Sequence, residues 1–183
     1  PYSWPVIGSM DDLNAASLED VHTWFRTYYG AANATLVVAG DVDPDVVLQK
    51  VEKYFGHIPA GPPVVKLAGR VDRFTGKRRV IMEDRVPQER LYRLWKFPGA
   101  GSIESNHIDL AAAILSEGKN SRLYHRLVYE DRIASSVSAF VYDLEIVSAI
   151  NIVATAMPGI PLAKVEAAID EEIALFLAKG PTK

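Results

Sequence analysis

The stretch SSVSAFVYDLEIVSAINIVATA, residues 135–156, decides how the chain is built. Its two runs, 135–142 and 146–156, read as strands, and Asp143-Leu144-Glu145 separates them. Two such runs around so short a break read as a hairpin of antiparallel strands. A hairpin is a local pairing, so the elements next to it in sequence must cover one face of its sheet.

Working outward from the hairpin, ILSEGKNSRLYHRLVYEDRIASS (114–136) gathers a glycine turn and then a helical segment. Asn120 or Ser121 is placed to cap this helix. Leu123, Tyr124, Leu127 and Val128 form its inward face, with Arg122, His125, Arg126 and Tyr129 on the outer side. Before it lies a mostly apolar helix at about 103–116, stopped by Gly118. RRVIMED (78–84) and ERLYRLWKF (89–97) read as strands, separated by a break containing Pro87, and Pro98-Gly99 closes the second. After the hairpin, Pro158-Gly159 leads into a long amphipathic helix with Leu162, Val165, Ile169, Ile173 and Phe176 inward. Residues 76–183 thus take the order ββααββα. Locally paired strands interleaved with helices give an α+β fold, an antiparallel sheet with helices packed on one face.

The first third of the chain reads differently. Ser17 and Asp20 stand in capping-box relation ahead of a helix whose Leu18, Val21, Phe25 and Tyr28 share one face, ended by Gly30. ATLVVAG (34–40) reads as a buried strand. Asp43 and Pro44 then start a second helix, with Val47, Leu48, Val51 and Phe55 inward as far as Gly56. Trp4, Trp24, Tyr28 and Tyr29 are expected as core and staple of this helix-strand-helix unit, residues 1–57. Pro59, Gly61, Pro62 and Pro63 mark the boundary, so 58–75 is expected to be a linker.

Composition narrows the function. The 183 residues carry a formal net charge of -3, which argues against a nucleic-acid binder, since such affinity comes mainly from lysine and arginine displacing counterions. Charge is unevenly spread: eight acids face three bases in 1–57, whereas Lys66, Arg70, Arg73, Lys77, Arg78 and Arg79 face only Asp72 in 64–79. That pattern reads as a solvated basic connector following an acidic unit. No run approaches the ~20 apolar residues of a membrane span, and Pro1-Tyr2-Ser3-Trp4 has neither the basic start nor the apolar core of a signal peptide. There is no cysteine, so any metal would need histidine or carboxylate ligands.

The usual catalytic patterns fail. The histidines are His22, His57, His107 and His125; none stands at i, i+4 from another, and neither H-E-x-x-H nor H-x-x-E-H occurs. GKNS (118–121) lacks the spaced first glycine and preceding strand of a phosphate loop. No G-x-S-x-G elbow is present. His125 beside Arg122 and Arg126 reads as a solvent-facing strip, with Arg126 pairing to Glu130 one turn on, rather than as a general base. Asn33-Ala34-Thr35 matches a glycosylation sequon by accident of composition. No catalytic residue and no metal ligand is assigned to the chain.

In order along the chain, these segments resemble one family. PYSWPVIGSMDDLNAASLEDVHTWFRTYYGAANATLVVAGDVDPDVVLQKVEKYFGHIP (1–59) resembles the part of pitrilysin/insulinase-type zinc peptidases, the mitochondrial processing peptidase among them, that follows their catalytic motif. The segment 114–140 resembles the start of their second, non-catalytic domain. The resemblance implies a fragment: 1–57 as the end of the first peptidase domain, 58–75 as linker, and 76–183 as most of the second domain. It implies zinc in the full-length parent and none in this chain, because the family's H-x-x-E-H would lie upstream of Pro1.

The implied partners are the catalytic half or a catalytic partner chain, and a peptide substrate held in extended form within a two-domain chamber. A homodimer of the fragment is a further assembly to consider. Neither nucleic acid nor membrane is an expected partner. A periplasmic or other non-cytoplasmic compartment in a bacterial parent is compatible with the resemblance, which does not fix one. In the family's active pairs the second half often supplies substrate-gripping residues in a pattern like L-R-E-x-x-G-L-x-Y. Aligned on Ser121-Arg122-Leu123, the arginine falls at Val128 and the tyrosine at Ser135, two departures from that pattern. Asn120, Arg122, Val128 and Ser135 are the chamber candidates that follow.

Overall fold

The computed structural model describes residues 2–65 and 75–181. It divides into two compact units, Pro1–Ala68 and Gly69–Lys183. Lys66, Arg70, Asp72, Arg73 and most of the expected linker's C-terminal half lie outside the described residues.

The second unit holds the core. Helices α1 (Met10–Ala15), α2 (Leu18–Tyr28) and α3 (Pro44–Phe55) belong to the first unit, and in the second, strand β1 (Arg90–Pro98) is followed by helix α4 (Ile103–Ser116). A short helix α5 (Arg122–Tyr124) then runs directly into a π-helical turn, His125–Glu130. Strands β2 (Ala134–Tyr142) and β3 (Val147–Ala156) form the expected hairpin, and helix α6 (Leu162–Lys179) closes the unit. The three strands make one antiparallel sheet in the order β1-β3-β2. β3 is central, which explains why its sequence is the most uniformly apolar of the three.

Register sorts the side chains. Leu91↔Ala154 and Arg93↔Ile152 pair across β1 and β3, and Val137↔Ala154 and Ala139↔Ile152 across β2 and β3. Because neighbours along a strand alternate in face, Leu91, Val137, Ile152 and Ala154 share the covered face. Leu123 and Leu127 (both 0% exposed), Ile133, Val165 and Ile169 pack with Val137, Ile152 and Ala154 in one cluster. From the opposite face Tyr92, Leu94, Phe140 and Tyr142 project, exposed. The hairpin turn is anchored by Asp143, whose carboxylate accepts from the hydroxyls of Ser105 on α4 and Ser148 on β3, each at 2.8 Å. Gly99 fits beneath it: an added Cβ would lie 2.2 Å from the Glu145 carbonyl oxygen.

The first unit contains α1 (Met10–Ala15), which sequence reading passed over, α2 (Leu18–Tyr28) and α3 (Pro44–Phe55). The capping chemistry is as expected: Ser17 and Asp20 cap each other's backbone, and Asp43 accepts from Asp45 and Val46 N–H ahead of Pro44. Asn33, the sequon residue, donates its side-chain amide to the Tyr28 carbonyl at 2.8 Å and so satisfies the end of α2. The segment after α3 returns to this point. Ala31 and Ala32 N–H donate to the Pro59 and Ala60 carbonyls, and Gly30 is buried where a Cβ would meet Ala60 O at 2.3 Å.

Three expectations are corrected. Neither 34–40 nor 78–84 enters a ladder among the described residues, and Val37, Val80, Ile81 and Met82 are exposed. A β-branched run favours extended backbone, but only a neighbouring strand supplies the hydrogen bonds that make it a sheet element. The domain order observed is therefore βααββα, one strand short of the expected ββααββα. Third, Trp4 (76% exposed), Trp24, Tyr28 and Tyr29 are not core, and no residue of α1, α2 or α3 is buried. Trp24–Tyr28 and Phe25–Tyr29 meet instead as tilted ring pairs at α2, and among the described residues the first unit holds no strand ladder for its helices to pack on.

Candidate functional site

The four candidates from the sequence occupy one stretch of the second unit but different environments. Asn120 is exposed in the turn after Gly118, where φ of +79° favours glycine. Ser121 takes the N-cap position of α5, yet its hydroxyl donates back to the Gly118 carbonyl at 2.7 Å rather than to the helix. Arg122 follows as the first helical residue.

Its guanidinium is committed to α6. Arg122 Nε donates to Glu172 Oε1 at 2.6 Å, Nη1 donates to the Gly180 carbonyl at 3.3 Å, and the group lies 5.7 Å over the Phe176 ring. The side chains of Arg122 and Glu172 are only 14% and 10% exposed. Arg126, one turn on, bonds Glu171, and its other nitrogens lie 3.5 Å from Asp131 and 3.6 Å from Glu172. The bond from Glu171 holds the Arg126 guanidinium more firmly protonated than usual, against a smaller opposing effect of burial.

The solvent-facing strip is thus half right. His125 and Tyr129 are exposed, with ring centroids 5.5 Å apart, while Arg122 and Arg126 turn to α6. Glu130 is met by His125 at 3.5 Å, not by Arg126. Sequence spacing finds i, i+4 partners within a helix; it carries no signal for a partner about fifty residues away.

Two more arginines grip the same helix. Arg93, on the covered face of β1, bonds Asp170 and lies 3.7 Å from Glu166, which Arg79 also bonds. The Arg93 bond, aided by its charge and that of Lys77, holds the Asp170 carboxyl below the usual 3.8 despite opposing burial. Four arginines from three segments therefore fasten the acidic side of α6 to the stretch before β1, to β1 and to helix 122–130.

Val128 is partly buried against the core cluster. Past the π-helical turn, Arg132 adopts φ of +51°, a left-handed conformation costly for a residue with a Cβ. In the nine-residue family pattern its position is that of the glycine. The chain then enters β2 through a bulge: Ala134 pairs with Ala156 but Ser136 with Thr155, which leaves Ser135 unpaired and exposed. Ser135 Oγ donates to the Thr155 carbonyl and accepts from Gln88 Nε2, both at 3.3 Å, while Gln88 Nε2 also donates to the Ala156 carbonyl at 3.0 Å. Gln88 was missed from sequence, since nothing local marks a side chain that crosses to the far end of β3. Asn120 and Ser135 are thus the exposed members of the four, and Arg122 and Val128 are held within the fold.

The donor set does not fit zinc. Among the described residues no three His, Asp or Glu side chains converge as a metal would require, and His22, His57, His107 and His125 are each exposed on separate elements. No chemical step through a metal is derived for these residues.

Residues 15–183 match the family described as the peptidase M16 inactive domain. The chain is 29% identical over 187 residues to a protein named zinc protease PqqE from Helicobacter pylori, covering 98% of this chain and 41% of that protein. A crystal structure of a protease from Helicobacter pylori superposes with a TM-score of 0.71 at 27% identity, over 100% of this chain and 45% of that one. A peptidase M16 inactive domain from Pseudomonas fluorescens shares the fold, with a TM-score of 0.77 at 15% identity over 99% of this chain and 43% of that one. The chain spans less than half the length of these relatives. With a family match over residues 15–183 and a three-stranded antiparallel sheet with helices on one face, this chain belongs to the peptidase M16 inactive domain family.

Proposed function

We propose that this chain is the non-catalytic, substrate-enclosing portion of a zinc-dependent endopeptidase that cleaves peptides or unfolded polypeptides. Residues 1–57 complete its first peptidase domain, 58–75 connect, and 76–183 form most of the second domain. The observation that supports this reading is a match to an inactive domain in a chain whose described residues assemble no metal-binding group. Water at neutral pH becomes a competent nucleophile in such enzymes through a bound metal, which the catalytic half would hold. This half confines the substrate. Its partner is that catalytic half, in the same polypeptide or another chain.

Within the chamber, Asn120 and Ser135 have the exposure that contact with a peptide needs, while Arg122 and Val128 hold the helix that presents them. Ser135 reaches less far than a tyrosine, and its hydroxyl is already engaged by Gln88 and Thr155. Contact here positions substrate and does not stabilise a transition state. The test is fluorescein-labelled β-casein, an unfolded polypeptide, added to the purified chain. Binding by anisotropy without cleavage is the expected result. Chelator-sensitive cleavage by the chain alone, or no binding at micromolar protein, refutes the reading.

A further inference from the structure

An exposed sheet edge is a template for an added strand, and extended polypeptides commonly dock that way. In the sheet order β1-β3-β2, the outer side of β2 is one such edge. The Ala156 N–H donates to the Glu89 carbonyl, so even-numbered residues of β3 direct their backbone groups to β1 and odd-numbered ones to β2. On β2 the partners of those odd residues are Ser138, Phe140 and Tyr142, which leaves Val137, Ala139 and Val141 directing N–H and C=O outward.

The outward groups at the middle of this edge are taken. Ser116, the last residue of α4, accepts the Ala139 N–H at 2.6 Å and donates its hydroxyl to the Ala139 carbonyl at 3.0 Å. One hydroxyl thus satisfies both groups that an incoming strand would have to pair. The reach of a serine places the α4 backbone itself within about one strand spacing of β2, ~5 Å. A groove of about 400 Å³ remains between α4 and β2, lined in part by Ala113, Ser116, Ala139 and Val141.

We propose that Ser116 and the end of α4 close this edge to strand addition, so that an extended polypeptide held by this half contacts the sheet elsewhere than along β2. The proposal rests on the substrate-enclosing reading for its functional part and on the Ser116–Ala139 geometry alone for its structural part.

Hydrogen exchange of single amides, read by NMR on this chain, tests the structural part. The Ala139 amide exchanges at least about tenfold more slowly than Val141, which points the same way without a serine; Ser116→Ala abolishes the difference and Ser116→Thr, which keeps the hydroxyl, preserves it. Equal rates at Ala139 and Val141 in the unmodified chain overturn the proposal, and need no variant to fold. So does slow exchange that survives Ser116→Ala.

The functional part uses the metal-stripped full-length protein with β-casein, followed by exchange mass spectrometry. Protection appears within 75–181 but not at 137–141; new protection at 137–141 overturns edge closure. Protection nowhere in 75–181 overturns the enclosing role instead, and with it the functional part of this proposal, while Ala139 exchange in the isolated chain still decides the structural part.

Discussion

The Arg122–Glu172 pair should respond asymmetrically to removal of its two partners. Both side chains are nearly buried, so a lone charge left behind is costly, whereas removing both together costs less than the two separate losses combined. If Glu172 becomes Leu, Arg122 keeps only the Gly180 carbonyl at 3.3 Å and the Phe176 ring, and its Nε donor is orphaned. The expected loss is about 3 kcal/mol. If Arg122 becomes Met, Glu172 still has Arg126 at 3.6 Å, and the loss falls to about 1.5 kcal/mol. The double variant should also lose only about 1.5 kcal/mol, which makes the coupling about 3 kcal/mol. The assay is urea unfolding followed by the fluorescence of Trp95 on β1, with Trp4 and Trp24, the other two of three indoles, replaced by Phe. Equal losses for the two single variants, or strictly additive losses in the double, would refute the reasoning.

Arg132→Gly should stabilise the second unit by about 0.5–1 kcal/mol, because relief of a left-handed residue exceeds the added unfolded-state entropy; a lower urea midpoint counts against this. Gly99→Ala should destabilise the same unit by about 2 kcal/mol or more, since its Cβ would meet backbone that carries the hairpin turn, as seen in the same melt. The Asp170 carboxyl is held below 3.8, so its stabilisation is complete above that pH and is lost as pH falls through the lower folded value. Asp170 is half exposed, so Arg93→Met should remove only about 0.5 kcal/mol of acid-sensitive stability, visible as a shallower decline below pH 3.8. In the full-length protein Ser135→Tyr should preserve or raise kcat/KM on peptide, whereas Val128→Arg, which places a charge against the core, should lower the unfolding midpoint first.

What could be read from the sequence follows the range of the forces involved. The hairpin was legible because its two strand-like runs lie on either side of a three-residue break, Asp143-Leu144-Glu145, so that the pairing is local in sequence. The caps at Ser17 and Asp43 were legible because a cap and its helix are three residues apart. The clasp of Arg79, Arg93, Arg122 and Arg126 on α6 was not, since each bond joins residues that only the fold brings near. Nor was the bulge at Ser135 or the left-handed Arg132, where tertiary packing overrides what the residue prefers. The segments 34–40 and 78–84 have strand-like composition, and composition does not reveal whether a neighbour exists to complete a ladder. For the candidate site, the sequence placed Asn120, Arg122, Val128 and Ser135 in one stretch yet could not tell the exposed Asn120 and Ser135 from the committed Arg122.

The contrast between a second unit with a closed core and helices α1–α3 without a buried residue bears on how these residues behave when produced by themselves. The first unit offers Trp24, Phe25, Leu48 and Phe55 on faces that its described residues leave exposed. Such surfaces are what holding chaperones bind. Produced by themselves, residues 1–183 should therefore recruit chaperones through this unit, and more strongly than residues 75–181 alone.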